Sequence, residues 1–171
     1  MRAIRIDDHG GPEVLRTVAL SEPVCGPGQV EVQVTHVGLN HLDLWVRSGV
    51  DSHTFPLPLI PGSDVAGIRT DTGEHVVLIP GFGCEACARC RADRHDLCRE
   101  YKIRGETTDG GMRERLVVPE SHLLSCPLPP EQAASMPLSL LTAWHMLIGR
   151  ARVAPGQAVL VQAGASGVGS M

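Results

Sequence analysis

Four of the six cysteines lie between positions 84 and 98: Cys84, Cys87, Cys90 and Cys98, at spacings of three, three and eight. Four thiolates so placed can surround a metal ion tetrahedrally at about 2.3 Å, and Cys-x-x-Cys turns bring the ligands together cheaply. The residues between them (Glu85, Arg89, Arg91, Asp93, Arg94, His95, Asp96) are polar or charged. The loop therefore has little apolar material for a core, and a metal would supply the cohesion that packing cannot. Paired disulfides, a redox Cys-x-x-Cys and an iron–sulfur cluster compete with this reading. Disulfides fit an oxidising compartment, whereas Met1-Arg-Ala-Ile-Arg-Ile has no leader character. A redox pair needs only two cysteines, and ferredoxin runs space theirs differently. The pattern favours a closed structural zinc site, which holds a loop and leaves no position open for substrate.

A second stretch able to do chemistry is Gly164-Ala-Ser-Gly167-Val-Gly169, directly after the apolar run Ala158 to Gln162. Small residues at a strand-to-helix turn let a backbone approach a pyrophosphate, and a following helix would turn its free N–H groups to it. Ser166 stands where the usual fingerprint has its middle glycine. The acidic residue that would choose between NAD and NADP falls about 20 positions further on, past Met171. The expectation is that these 171 residues are part of a longer protein.

The elements that must position these loops read mostly as short strands. Met1 to Ile6 and Glu13 to Leu20 flank the turn His9-Gly-Gly-Pro12, and Val30, Val32, Val34 and Val37 alternate with polar residues. Asn40 to Gly49 reads as a helix, Asn40 its N-cap and Gly49 its stop, with Leu44 and Trp45 facing inward. Pro56 to Pro61 is too proline-rich for helix or central strand. Ser63 to Arg69 and His75 to Ile79 form a hairpin about Thr70-Asp-Thr-Gly73, and Arg113 to Val118 is another alternating strand. After Pro129-Pro130 the character turns helical, through Glu131 to Met136 and Leu138 to Ile148 with an interruption at Pro137. Ala158 to Gln162 reads as a parallel strand buried on both faces.

Composition bounds the partners. Hydrophobic residues make up 43%, and 15 basic residues stand against 19 acidic ones for a net charge of −4, which describes a globular chain. No basic stripe suggests nucleic acid, and no apolar run approaches a membrane span. Thiols intended for metal imply a reducing, cytoplasmic setting.

In this order the pieces resemble the N-terminal half of a medium-chain dehydrogenase/reductase, the superfamily of zinc alcohol dehydrogenases and quinone oxidoreductases. The resemblance rests on Gly11-Pro-Glu-Val-Leu15, Gly38-Leu-Asn-His-Leu-Asp43, Pro61-Gly-Ser-Asp64, the cysteine loop, Leu141-Thr-Ala-Trp144 and Ala163 to Gly169. It implies a mainly β fold: a GroES-like, partly open β-barrel over residues 1–128 with a zinc lobe at about 81–105. Residues 129–171 would then be connecting helices and the first strand and turn of an incomplete Rossmann domain. The lobe's zinc ligands carry over completely, but those of a catalytic zinc do not. Asn40 and Ser63 stand for cysteine and histidine, Asp64 for the adjacent glutamate, and the third ligand falls near Leu138. The connection between Gly67 and His75 is also shorter than the family's.

The resemblance therefore implies NAD(P)H-dependent reduction of a quinone, enone or carbonyl without a catalytic metal. A zinc-dependent alcohol dehydrogenase and an inactive zinc-stabilised fragment are the alternatives. Asn40 is the candidate catalytic residue, or only the helix cap. His41, Thr142, Gly164, Ser166, Gly167, Val168 and Gly169 are candidates for the cofactor. His41 could equally be an exposed helix-start histidine, and Thr142 a hydroxyl bonded to its own helix. Asp43 reads as a supporting hydrogen-bond acceptor or a first-turn acid. The other histidines show no ligand spacing, and Cys25 and Cys126 read as ordinary small residues. A small-molecule substrate and association of copies through the remaining domain are the partners expected.

Overall fold

The computed structural model describes residues 1–171. Strand β1 (Arg2–Ile6) pairs antiparallel with β2 (Leu15–Ala19), from Arg2 opposite Ala19 to Ile6 opposite Leu15. The core belongs to a five-stranded antiparallel sheet formed by β3 (Gln29–Gly38), β4 (Asp64–Arg69), β5 (His75–Leu78), β8 (Arg115–Pro119) and β9 (Leu123–Ser125), in the order β8-β3-β4-β5-β9. It curls into a half-barrel. The period-2 alternation of β3 works as expected: Val30 and Val32 are buried while Glu31 and Gln33 lie on the other face. Val32 joins Val65, Val76, Leu78, Leu116 and Val118 in the barrel core. A register shift between Val34 and His36 bends β3 as it leaves this core.

Helix α1 (His41–Ser48) starts after Asn40 and stops at Gly49, whose φ of 75° suits a glycine C-terminus. Its inward face differs from the expected one. Leu44 and Trp45 are about half exposed, and Asp43 and Val46 are buried instead. Val46 packs with Ile6, Phe55 and Leu59 in a second apolar cluster. Asp43 takes the inward position because its carboxylate is an acceptor for two N–H groups, one of them buried, which no leucine could satisfy.

The cysteine loop leaves and rejoins the barrel between two short paired strands, β6 (Gly81–Phe82) and β7 (Lys102–Ile103). Beyond β9, α2 (Pro130–Ala133) packs Ala133 and Ala134 on Ala66, and α3 (Pro137–Trp144) continues into a wider helical turn over His145–Arg150. The expected strand over Ala158 to Gln162 does not form. Residues 157–161 have no regular structure, and Leu160 is 88% exposed. A parallel strand takes its backbone partners from neighbouring strands, and none of the nine strands here pairs with this run.

Candidate functional site

The sulfurs of Cys84, Cys87, Cys90 and Cys98 all lie within 4.8 Å of one another. Four sulfurs placed 2.3 Å from one centre would stand about 3.8 Å apart. The observed separations are 3.5 Å for Cys87–Cys90, 3.9 Å for Cys87–Cys98 and 4.0 Å for Cys84–Cys90. Tight turns gather them: the Arg91 N–H donates to the Cys87 carbonyl, Asp93 to Cys90, and Cys98 to His95. The Cys84 N–H points at the Cys98 sulfur at 3.4 Å. Glu85 and Asp93 adopt positive φ, 60° and 54°, to turn the chain about the cluster. Gly83 cannot carry a side chain, since a Cβ there would stand 2.6 Å from the Cys90 sulfur. Hydrogen bonding to Cys90 pulls the Cys87 thiol down to about 6, while burial pushes Cys90 up. Thiolate donors at tetrahedral spacing fit zinc. The chain holds no other group of three or more His, Cys, Asp or Glu side chains able to do the same.

The second polar cluster lies where α1, the end of β3, the start of β4 and the first turn of α3 meet. Asn40 and Asp43 are arranged as a capping box: the Asp43 carboxylate accepts the Asn40 backbone N–H at 2.7 Å, and the Asp43 N–H, toward which the Asn40 side chain is turned, donates to the Asn40 carbonyl at 3.0 Å. The other Asp43 oxygen accepts from Gly62 at 3.0 Å, tying the loop before β4 to the helix. Asn40 Nδ2 donates to Asp64 Oδ2 at 2.9 Å, and the Leu138 N–H donates to Asp64 Oδ1 at 2.6 Å. Asp64 is 1% exposed. Burial, with the charge of Asp43 adding to it, pushes its carboxyl up to about 6. Burial raises Asp43 as well, against the N–H groups that hold its charge. Ser63 is fully buried, and its hydroxyl donates to the Arg104 carbonyl at 2.7 Å. Leu138 brings a backbone N–H and an aliphatic side chain.

The remaining expected site residues divide. His41 is exposed and stacks edge-on against Trp45 with ring centres 4.9 Å apart. The Thr142 hydroxyl donates to the Leu138 carbonyl at 2.7 Å, the local helix bond. The turn at Ala163 to Gly169 is formed and exposed: Ser166 N–H donates to the Ala163 carbonyl at 2.8 Å, and Gly169 N–H to Ser166 Oγ at 3.0 Å. Nothing stands within 4 Å of a Cβ built at Gly164, so a phosphate has room there. Gly167 and Val168 complete that turn, but no helix follows it within these residues.

One cluster escaped sequence reasoning altogether. Arg104, 6% exposed, places Nη2 2.8 Å from His122 Nδ1, and His122 Nε2 lies 3.0 Å from Glu85 in the cysteine loop. The guanidinium lies over the Phe82 ring at 4.7 Å, and burial pulls it down to about 10. His122 has no ligand spacing, so only its packing reveals it.

Against known proteins, residues 26–129 match the model of the alcohol dehydrogenase GroES-like domain. The quinone oxidoreductase of Homo sapiens is 33% identical over 172 residues, covering 99% of this chain and 47% of that protein. The crystal structure of an NAD-dependent alcohol dehydrogenase superposes with a TM-score of 0.90 at 42% identity, covering 99% of this chain and 52% of the other. A cobalt- and zinc-bound thermostable alcohol dehydrogenase from Pyrobaculum aerophilum gives 0.85 at 32% identity, covering 99% and 53%. The chain spans about half the length of the relatives it matches. A thiolate lobe on a curled half-barrel, with the matched region running from β3 to the approach of α2, carries one conclusion: the chain belongs to the alcohol dehydrogenase GroES-like domain family, within the medium-chain dehydrogenase/reductase superfamily.

Proposed function

We propose that the chain is the N-terminal, substrate-side part of an NAD(P)H-dependent oxidoreductase that reduces a quinone, enone or carbonyl compound, with one structural zinc and no catalytic metal. The observation that carries this reading is the donor set around Asp64. Ser63 spends its hydroxyl on a backbone carbonyl, Leu138 offers no ligand atom, and both Asp64 oxygens are committed to N–H groups. Such a set satisfies itself by hydrogen bonds, where a metal site needs several free lone pairs converging on one point.

A reduced nicotinamide, when bound, supplies the hydride. His41, Thr142 and the turn residues Gly164, Ser166, Gly167, Val168 and Gly169 are the groups of this chain that would contribute to holding it. Asn40 would face the acceptor and donate to the oxygen on which charge develops, a role that needs a preorganised donor and no metal. The thiolate lobe suits a reducing compartment, so the reading is a cytoplasmic enzyme. No helix is long and apolar enough to cross a membrane. A small molecule is the partner, with association of copies through the other half. The 171-residue piece alone would be inactive.

The test uses the full-length protein: metal content by mass spectrometry, and turnover of quinone, enone and alcohol substrates with and without added zinc. The expected result is one zinc per chain and NAD(P)H-dependent reduction that added zinc does not change. Two tightly held zincs, or turnover of alcohols only once zinc is added, would overturn the reading in favour of a zinc-dependent alcohol dehydrogenase.

A further inference from the structure

We infer that Asp64 is a positioning residue, which holds the Asn40 carboxamide so that a single N–H is left to donate to a ligand's carbonyl oxygen. The inference rests on the hydride-transfer reading above. An asparagine side chain has one acceptor oxygen and two N–H donors. In the capping box the oxygen faces the Asp43 N–H, and Asp64 Oδ2 takes one Nδ2 hydrogen at 2.9 Å. The second hydrogen has no partner within the chain.

Asp64 can impose this because it cannot move. It is 1% exposed, its second oxygen is held at 2.6 Å by the Leu138 N–H, and it lies in the first residue of β4, opposite Gly38. An ionised carboxylate accepts only, so the amide edge it meets must be the NH2 and not the oxygen. Asn40 is therefore locked by two carboxylates, Asp43 on its backbone and Asp64 on its side chain. Its free N–H suits the oxygen of a ketone, quinone or enone, or of a carboxamide. It does not suit a group that only donates.

The test compares full-length wild type with Asp64→Asn and with the exchanged pair Asn40→Asp plus Asp64→Asn. An amide at position 64 cannot accept from both Leu138 and Asn40, so Asp64→Asn should shift the Asn40 side-chain NH2 resonances and lower the melting temperature. It should also reduce kcat/KM by about 10²-fold, the order seen when one preorganised donor is displaced. The exchanged pair restores every bond within the protein but leaves a carboxylate, with no donor, toward the ligand. Its melting temperature should recover while kcat/KM stays low. Recovery of stability and turnover together would make Asp64 merely structural and overturn the inference, as would Asn40 resonances unchanged in Asp64→Asn. A wild type without turnover would sink the hydride reading by itself, and the Asn40 resonances then decide the positioning claim.

Discussion

The cysteine lobe and the Asn40–Asp64 cluster are both polar clusters held by turns, yet they are saturated in opposite ways. In the lobe four sulfurs converge with separations of 3.5–4.0 Å among the bonded pairs, and little but the turns around them holds them there. In the Asn40–Asp64 cluster both carboxylates already accept N–H groups of the protein, Asp43 two and Asp64 two, and the Ser63 hydroxyl is spent on a carbonyl. Convergent donors without partners call for an ion. A cluster that closes its own hydrogen bonds can position a ligand without one.

The most severe way to break this comparison is Cys90→Ser. Structural zinc in small thiolate sites contributes on the order of 10 kcal/mol to folding of its loop, and most of that should go with one thiolate. The expected outcome is loss of the zinc measured by mass spectrometry and of protection from proteolysis over residues 84–98. A Cys90→Ser chain that keeps a full equivalent of zinc would mean that the lobe is not the metal site.

The Asn40–Asp64 cluster should respond to protons instead. Asp64 titrates at about 6 in the folded chain against 3.8 as a free side chain, so the folded state binds the extra proton. Its contribution to stability is therefore complete below about pH 4, is lost as pH rises through about 6, and is flat above. The full span is about 3 kcal/mol. Urea midpoints measured from pH 4 to 8 should show this fall in wild type and a smaller one, from the raised Asp43, in Asp64→Asn. An identical slope in both would remove Asp64 as its source.

The smallest effect should come from the bridge between the two regions. Glu85 reaches from the lobe to His122 at 3.0 Å but is half exposed, so Glu85→Gln should cost about 1 kcal/mol and leave zinc in place. Loss of zinc in this variant would show that the lobe leans on the barrel more than its own turns suggest.

How legible this was depended on whether a residue's role is local. The alternation of Val30, Val32 and Val34, the hairpin at Thr70 to Gly73 and the cysteine spacing each act within a few residues, and the strand, the hairpin and the gathering of the four sulfurs all appear in the structure. Asp43 is legible as a hydrogen-bond acceptor but not as an inward residue, because apolar periodicity selects Leu44 and Trp45 for the inward face and says nothing of an N–H at Gly62 nineteen residues away. Asp64 was visible only as a substitution in a pattern; its hold on both Asn40 and Leu138 spans 24 and 74 residues. Arg104 and His122 carry no spacing signal, and their pairing exists only through burial. The run at Ala158 to Gln162 shows the converse case: its composition is that of a sheet interior, but a strand cannot form without a neighbour to pair with.

The carboxylate of Asp64 has a mechanical side as well. Its two oxygens are joined through one carbon, and one grips the amide of Asn40 while the other grips the opening turn of α3. Helix and amide are thus riveted to a common plate. Any tilt of α3 that pulls Leu138 away must either snap a bond at Asp64 or drag it against Asn40, so the axis of the helix leaving the barrel and the aim of the one free Asn40 N–H form a single lever.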